Sequence, residues 1–301
     1  MPRIRANGID IEYETFGRET DPAMLLIMGF AAQLTMWPLE LCEDLAARGF
    51  RVIRFDNRDI GKSTHLAHLG QPDMQELVAT LMSGKPASAP YALDDMAADA
   101  AALLEALDIS KAHIVGASMG GMIAQLVAAN FPARTKSLVS IMSTTGRRDL
   151  PMGKPEAMAA LTTPPASDSL ADRIEAGIRV GRALMSPGYP TPDEELRTMV
   201  TEAATRAAYD PAGVARQMAA IVAAPPRNDI LKGVAAPTLV IHGADDPILT
   251  VEGGKDTAAS VPGARLEIVP GMAHDFPKGL IPTYVTLIAD FASGVEARKA
   301  A

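Results

Sequence analysis

The chain has 301 residues, of which 48% are hydrophobic and 21% charged, a composition typical of a globular protein with one large core and an insertion. Its formal net charge of -8 disfavours a nucleic-acid partner, because non-specific binding to a phosphate backbone depends mainly on basic side chains. Cys42 is the only cysteine, which excludes an intrachain disulfide and a cysteine-based zinc site.

The first segment of the chain lacks the features of a targeting signal. Acidic residues at positions 10, 12 and 14 fall where a secretory signal needs an uninterrupted apolar run. No run of about 18 apolar residues, the length of a membrane-spanning helix, occurs elsewhere. We therefore expect a cytoplasmic protein with no membrane partner.

The first half of the chain alternates between strand-like and helix-like segments. The segments are IDIEYETF (9–16), AMLLIMG (23–29) and RVIRFD (51–56) as strands, then DDMAADAAALLEALD (94–108) as a helix, AHIVGA (112–117) as a strand, MGGMIAQLVAANF (119–131) as a helix and SLVSIMS (137–143) as a strand. Alternation of strands and helices predicts an α/β fold with a mostly parallel central sheet and helices on both faces.

The alternation stops between residues 146 and 232. Proline-rich joints there separate helical segments rich in alanine and methionine, and no strand is predicted. PTLVIHG (237–243) and ARLEIVPG (264–271) then restore the strand pattern, with a helix after each. We predict a core domain formed by residues 1–145 and 233–301, with a helical cap inserted at 146–232.

One serine stands between glycines where a predicted strand gives way to a predicted helix. Gly116-Ala117-Ser118-Met119-Gly120 fits G-x-S-x-G, a turn whose small neighbours let the serine adopt a strained backbone and project its hydroxyl. A glycine-rich turn with an ordinary serine would contain the same pattern. The interpretation of Ser118 as a nucleophile therefore depends on a base and an acid elsewhere in the chain.

Two histidines follow Ser118, in agreement with the order serine, acid, histidine that this type of turn favours. His242 lies inside the predicted strand VIHG, where we expect it to pack. His274 lies in the loop after ARLEIVPG, at the carboxyl edge of the sheet, where a side chain can reach a serine on a neighbouring strand. We predict His274 as the base.

The acid is expected in HGADDPI, directly after the predicted strand PTLVIHG. Asp245 and Asp246 both fit, and a simple turn is the alternative explanation, since aspartate before proline favours turns. Position alone does not separate the two aspartates.

The segments GASMGG, GADDPI and PGMAH, in this order, resemble the alpha/beta-hydrolase superfamily over nearly the whole chain. FDNRDIGKS (55–63), with LLIMGF and GASMG, is most similar to the aclacinomycin-methylesterase-like serine esterases. The resemblance implies Asp246 as the acid, because the family's aspartate directly precedes the proline. It further implies carboxylic-ester hydrolysis by Ser118, His274 and Asp246 through an acyl-enzyme, with no metal or organic cofactor.

Acyl transfer also needs two hydrogen-bond donors for the oxyanion of its tetrahedral intermediate. The backbone N–H of Met119, at the start of the helix after the serine, is one candidate. The resemblance implies the backbone N–H of Phe30, in the turn MGF, as the other, although Met28 stands where the family has histidine. Since only the backbone of residue 30 donates, we expect the oxyanion hole to be intact despite the methionine at position 28.

Two further expectations concern the surroundings of the site. We expect Asp56 and Arg58 to form a hydrogen-bonded pair that fixes the loop beside the oxyanion hole, without touching the substrate. The cap contains five methionines but only Tyr189 and Tyr209 as aromatic residues. A flexible aliphatic pocket for small or medium apolar esters fits this composition better than a stacking surface for a large polycyclic substrate.

Other functions remain open at this stage. The same three residues serve hydrolysis of carbon–carbon bonds, opening of lactones and cofactor-free perhydrolysis, and a ligand-binding protein could keep the fold without turnover. Dehalogenases and epoxide hydrolases of this fold are disfavoured, because they carry aspartate where Ser118 stands. The expected partner is a small-molecule ester, and the sequence leaves open whether the chain forms a homo-oligomer.

Overall fold

The central feature of the fold is a single eight-stranded sheet. A computed structural model describes residues 1–85 and 87–300, and the side chains of residues 1–85 and 87–298. The strands are β1 (Arg3–Ala6), β2 (Ile9–Phe16), β3 (Ala23–Ile27), β4 (Arg51–Phe55), β5 (Ala112–Ala117), β6 (Thr135–Ile141), β7 (Thr238–Gly243) and β8 (Arg265–Val269). Their order across the sheet is β1-β2-β4-β3-β5-β6-β7-β8.

The pairing of the strands is mostly parallel. β1 pairs with β2, and β2 with β4, in antiparallel fashion, whereas β4, β3, β5, β6, β7 and β8 pair in parallel. The predicted fold class, a mostly parallel sheet with helices on its faces, is confirmed. β1 was not predicted, because four residues with two arginines carry too weak a period-two pattern.

Helices connect the strands and cover the sheet. They are α1 (Leu39–Ala47), α2 (Met74–Met82), α3 (Leu93–Ala106), α4 (Met119–Asn130), α5 (Pro155–Thr162), α6 (Leu170–Leu184), α7 (Asp193–Arg206), α8 (Pro211–Ala223), α9 (Asn228–Leu231), α10 (Val251–Ser260) and α11 (Ile281–Ala300). Among these described helices, none is both long enough and apolar enough to cross a membrane.

The core lies in two layers, one on each face of the sheet. Because successive side chains of a strand point to opposite faces, Leu25 and Ile27 of β3 pack with α3 and α4, whereas Met24 and Leu26 pack with α1 and α11. All four side chains are fully buried. Burial on both faces explains why this strand is a continuous apolar run.

The segment between β6 and β7 contains α5 to α9. Within its described residues the only extended pairing is an isolated antiparallel bridge between Met152 and Leu249. This agrees with the absence of predicted strands, and the division into a core domain and a cap at residues 146 and 232 stays a prediction. Because β6 and β7 are parallel, this segment leaves the sheet at the carboxyl edge, where the candidate site lies, and returns to the sheet at the opposite edge.

Candidate active site

Ser118 occupies a strained turn between β5 and α4. Its backbone has φ +56° and ψ -121°, in the left-handed half of conformational space that residues other than glycine seldom adopt. The N–H of Ser118 donates to the carbonyl of Ile141 on β6 at 3.0 Å, and its carbonyl accepts from the Ser143 hydroxyl at 2.8 Å. These contacts with the neighbouring strand hold the serine in this conformation.

The glycines around Ser118 are required by close packing of backbones. A Cβ atom at Gly116 would lie 2.0 Å from the carbonyl oxygen of Gly120, and one at Gly120 would lie 2.0 Å from the carbonyl oxygen of Ile27. The first turn of α4 therefore approaches β3 and β5 more closely than any side chain permits. The G-x-S-x-G pattern is thus explained by the packing as well as by the strained turn.

Ser118, His274 and Asp246 lie together at the carboxyl edge of the sheet, in the loops that follow β5, β8 and β7. His274 Nε2 lies 2.9 Å from Ser118 Oγ, and His274 Nδ1 lies 2.7 Å from Asp246 Oδ2. A neutral imidazole that donates from Nδ1 to the carboxylate has its Nε2 lone pair free to accept from the serine hydroxyl. The structure therefore brings together the three residues predicted for catalysis.

The backbone of its own loop orients the Asp246 carboxylate. Asp246 Oδ1 accepts from the N–H groups of Ile248 and Leu249, both at 2.9 Å, which leaves Oδ2 to face His274. The side chain of Asp246 is fully buried. Asp245 is exposed and points elsewhere, because its Oδ2 accepts from the N–H of Gly271 at 3.0 Å. The geometry therefore favours Asp246 over Asp245, the choice that the family resemblance implied.

His242, the other histidine after Ser118, is packed inside β7 as expected. Its Nε2 donates to the carbonyl of Leu249 at 2.7 Å, and its Nδ1 has no hydrogen-bond partner among the described residues. Burial is the largest cause of a lowered pKa for His242. The ring is therefore held neutral, and its Nε2 also lies 3.6 Å from Asp246 Oδ2.

The turn Met28-Gly29-Phe30 lies directly against the serine. A Cβ atom at Gly29 would be 3.0 Å from Ser118 Cβ and 3.6 Å from Ser118 Oγ. Asn57 Nδ2 holds this turn by donating to the carbonyl of Met28 at 2.9 Å. In the part of the chain that the structure describes, we find no protein acceptor for the N–H groups of Phe30 and Met119. Both donors are thus available beside Ser118.

The prediction that Asp56 and Arg58 form a hydrogen-bonded pair is wrong, although both residues fix loops near the site. Arg58 binds Asp99 of α3 through two hydrogen bonds of 2.6 and 2.7 Å. Asp56 is fully buried, accepts from the N–H of Leu34 at 2.7 Å and pairs with Arg206 of α7 at 2.8 Å. Asp56 and Arg58 do not pair because each has a closer partner of opposite charge on a distant helix. The position of that helix cannot be predicted from the local sequence.

The last residue of α6 and the loop that follows it contact the loop of His274, and these contacts were not predicted from the sequence. The N–H of His274 donates to the carbonyl of Leu184 at 3.1 Å, and the N–H of Ala273 donates to Ser186 Oγ at 2.8 Å. Ser186 Oγ in turn donates to Asp275, whose pKa is raised mainly by burial. These contacts span about 90 residues, and no motif in the sequence marks them.

One group of described residues has the donor types of a metal site. Carboxylate or imidazole atoms of Asp59, His65 and Asp210 lie within 4.8 Å of one another. The guanidinium of Arg216 already occupies this cluster, with hydrogen bonds of 2.8 and 2.7 Å to Asp59 and one of 3.3 Å to Asp210. An internal cation therefore balances these carboxylates, and the cluster fits an ion-pair network better than a metal site.

A profile of the alpha/beta hydrolase fold matches residues 22–277 of the sequence. The chain belongs to the alpha/beta-hydrolase family. This finding confirms the resemblance that the three motifs indicated. The matched range begins just before β3 and ends just after the histidine loop, so it contains all the candidate site residues.

Individual members of the family are similar over most of their length. Rhodomycin D methylesterase DauP of a Streptomyces species is 28% identical, over 91% of this chain and 92% of that protein. The 3-oxoadipate enol-lactonase 2 of Acinetobacter baylyi is 24% identical, over 81% of this chain and 79% of that protein. The solved structure of a meta-cleavage product hydrolase from Pseudomonas fluorescens, CumD, has a TM-score of 0.75 and 20% identity over 98% of both chains, a likeness of fold alone.

Proposed function

We propose that this alpha/beta hydrolase is a serine carboxylic-ester hydrolase that acts on small to medium apolar esters, methyl esters among them. The observation that carries the proposal is the continuous hydrogen-bonded chain from Ser118 Oγ through His274 to Asp246, at 2.9 and 2.7 Å. Both distances lie in the range that proton transfer and tautomer control require. The position of Ser118 at a strained turn with an adjacent pair of backbone donors adds further support.

In the proposed reaction, His274 Nε2 takes the proton of the Ser118 hydroxyl while Oγ attacks the ester carbonyl carbon. The tetrahedral oxyanion accepts from the N–H groups of Phe30 and Met119, with the positive end of α4 beside it. His274 returns the proton to the departing alcohol, and an acyl-enzyme remains. Water, deprotonated by His274, then releases the acid and restores the serine. Asp246 stabilises the imidazolium that forms in both steps.

The substrate class is supported by the segment between β6 and β7 and by the methylesterase relative. The two aromatic rings of that segment are engaged within the protein, since Arg173 lies 5.9 Å from the Tyr209 ring centroid and the Tyr189 ring lies 3.1 Å from where a Cβ of Gly279 would stand. Met158, Met185, Met199 and Met218 are only half-buried and offer adaptable apolar surface. An aliphatic acyl group suits such surface better than a stacked ring.

The deciding experiment compares wild type with Ser118→Ala on p-nitrophenyl acetate and butyrate. We expect kcat to fall by about 10³ or more, because the nucleophile is lost, while circular dichroism and the unfolding temperature stay near wild type. Turnover within tenfold of wild type would contradict the role of Ser118. A single turnover without steady-state hydrolysis in wild type would favour a ligand-binding function instead. Methyl, ethyl and butyl esters of graded acyl chains then define the substrate.

Lactone opening is a second candidate, because an enol-lactonase is similar over 81% of this chain. The same attack on an ester carbonyl would open a ring, with the alkoxide remaining tethered to the acyl-enzyme. A panel of γ- and δ-lactones, assayed beside acyclic esters of equal carbon number, separates the two functions. A value of kcat/KM more than about tenfold higher for the lactones would replace our first proposal.

A further inference from the structure

A glutamine of α8 connects two loops that flank Ser118. Gln217 is fully buried, although it is a polar residue in the apolar sequence VARQMAAIV. Its Oε1 accepts from the N–H of Ala31 at 2.9 Å, and its Nε2 donates to the carbonyl of Arg58 at 2.7 Å. Both ends of the side-chain amide are therefore bound to backbone of the loops that follow β3 and β4.

Ala31 has an unusual backbone that needs such a contact. Its φ of +54° lies in the left-handed region, which is strained for a residue with a Cβ atom. It directly follows Phe30, whose N–H is the second donor proposed for the oxyanion. The hydrogen bond from Ala31 to Gln217 fixes the peptide plane next to Phe30 and so limits the directions in which the Phe30 N–H can point.

The helix that carries Gln217 is itself tied to the core. The adjacent Arg216 is fully buried, binds Asp59 with two hydrogen bonds and donates to the carbonyl of Gly70 at 2.7 Å. A buried ion pair with this bidentate geometry resists displacement, because separating its partners would leave a buried charge uncompensated. The amide of Gln217 is thus held at a defined distance from both loops.

We propose that Gln217 is a positioning residue of the oxyanion hole, through which α8 sets the orientation of the Phe30 N–H. The inference rests on the proposed function, in which Phe30 stabilises the oxyanion. It adds that a residue between β6 and β7 acts on the chemical step and not only on substrate binding. Loss of the Gln217 amide leaves the Ala31 N–H and the Arg58 carbonyl without their protein partners, so the turn relaxes.

The first test is Gln217→Met, which keeps the length of the side chain and removes its amide. We expect kcat on p-nitrophenyl acetate to fall about tenfold or more, with KM within about threefold of wild type, because the interaction matters most in the transition state. The inhibition constant of a trifluoromethyl ketone, which forms a tetrahedral oxyanion with the serine, should rise by the same factor as kcat/KM falls. A rise in KM with unchanged kcat would overturn the proposal.

His65→Ala is the matched control. His65 Nδ1 lies 2.8 Å from Asp210 at the start of α8, so this variant weakens the attachment of the same helix without touching Ala31 or Arg58. We expect its kcat to stay within about twofold of wild type. An equal fall in both variants would overturn the proposal in favour of general loosening of α8.

Hydrogen exchange of the Ala31 amide gives a readout that does not depend on turnover. The amide should be protected in wild type and exchange at least tenfold faster in Gln217→Met, or in the shorter Gln217→Asn if the first variant does not fold. Fast exchange in wild type would overturn the proposed contact. If wild type hydrolyses no ester, the proposed function fails, and the exchange rate of Ala31 alone then decides whether Gln217 positions this turn.

Discussion

The Nδ1 atom of His274 lies 2.7 Å from Asp246 Oδ2, whereas the side chain of the adjacent Asp245 accepts from the N–H of Gly271, at 3.0 Å. Two neighbouring aspartates thus face opposite sides of one loop. The Asp246 side chain is fully buried, while Asp245 is exposed. The pair therefore offers a built-in control for the role of the carboxylate, because the same substitution can be made at either position.

We predict that Asp246→Asn lowers kcat by about 10³ to 10⁴, because an amide at this position favours the imidazole tautomer with its proton on Nε2, which cannot accept from Ser118. Asp245→Asn should keep kcat within about threefold of wild type. Steady-state kinetics on p-nitrophenyl butyrate, with unfolding midpoints to verify folding, measure both effects. Comparable losses in the two variants, or a large loss in Asp245→Asn alone, would count against Asp246 as the acid.

We predict that Ser186→Ala lowers kcat about tenfold with little change in KM. Ser186 bonds to the Ala273 N–H at 2.8 Å and to the Asp275 carboxylate, so its loss frees the residues on both sides of His274. The fully buried Ala273 N–H would lose its partner, at a cost of about 1 to 3 kcal/mol in unfolding free energy.

Ser137→Ala supplies the comparison for that prediction, because Ser137 is a buried serine bonded to His113 at 2.7 Å and lies outside the histidine loop. It should lose stability to a similar degree and keep its kcat. If kcat falls equally in both serine variants at matched stability, Ser186 does not position His274.

We predict opposite effects on stability for the same glycine-to-alanine change at two positions. At Gly120 the new methyl group would lie 2.0 Å from the carbonyl oxygen of Ile27, so Gly120→Ala should cost about 3 kcal/mol or more of unfolding free energy. At Gly294, on the exposed side of α11, no described atom other than the helix's own nearby backbone lies within 4 Å of the added Cβ, and Gly294→Ala should gain about 0.5 to 1 kcal/mol. Urea titrations test both signs. A stable Gly120→Ala protein would refute the close packing of α4 on β3.

The local pattern of apolar and polar residues was sufficient to predict the strands around Ser118. The strand predicted at 112–117 coincides with β5, and the predicted strands at 23–29 and 51–56 differ from β3 and β4 by no more than two residues. These strands are buried on both faces, so their apolar runs are continuous and their ends are marked by polar or glycine residues. Ser118 and Asp246 follow β5 and β7, which are buried in the same way, whereas His274 follows β8, a partly exposed strand at the edge of the sheet.

The contacts made by residues between α6 and α8 could not be predicted in this way. Gln217, Ser186 and Arg206 each bind a loop that is 87 or more residues away in sequence. Gln217 and Arg206 are polar side chains in helices and Ser186 lies in a loop, so none of them has a distinctive local signal. Whether such a side chain faces solvent or a core loop depends on how the helices dock. The failed pairing of Asp56 with Arg58 has the same origin, because two distant helices supply the partners that each residue takes.

We predict that the neutral His242 makes the protein less stable as the pH falls. Burial lowers the pKa of His242 in the folded state below the value of about 6.5 expected for the unfolded chain. Below pH 6.5 the unfolded chain therefore binds a proton that the folded state does not, so the free energy of unfolding decreases. His242→Gln, whose amide can still donate to the Leu249 carbonyl, should lose less stability than wild type between about pH 7.5 and 5.5, while the exposed His68→Gln should follow wild type. Urea midpoints at both pH values measure the difference, and a wild-type pH dependence in His242→Gln would show that this ring is not the group responsible.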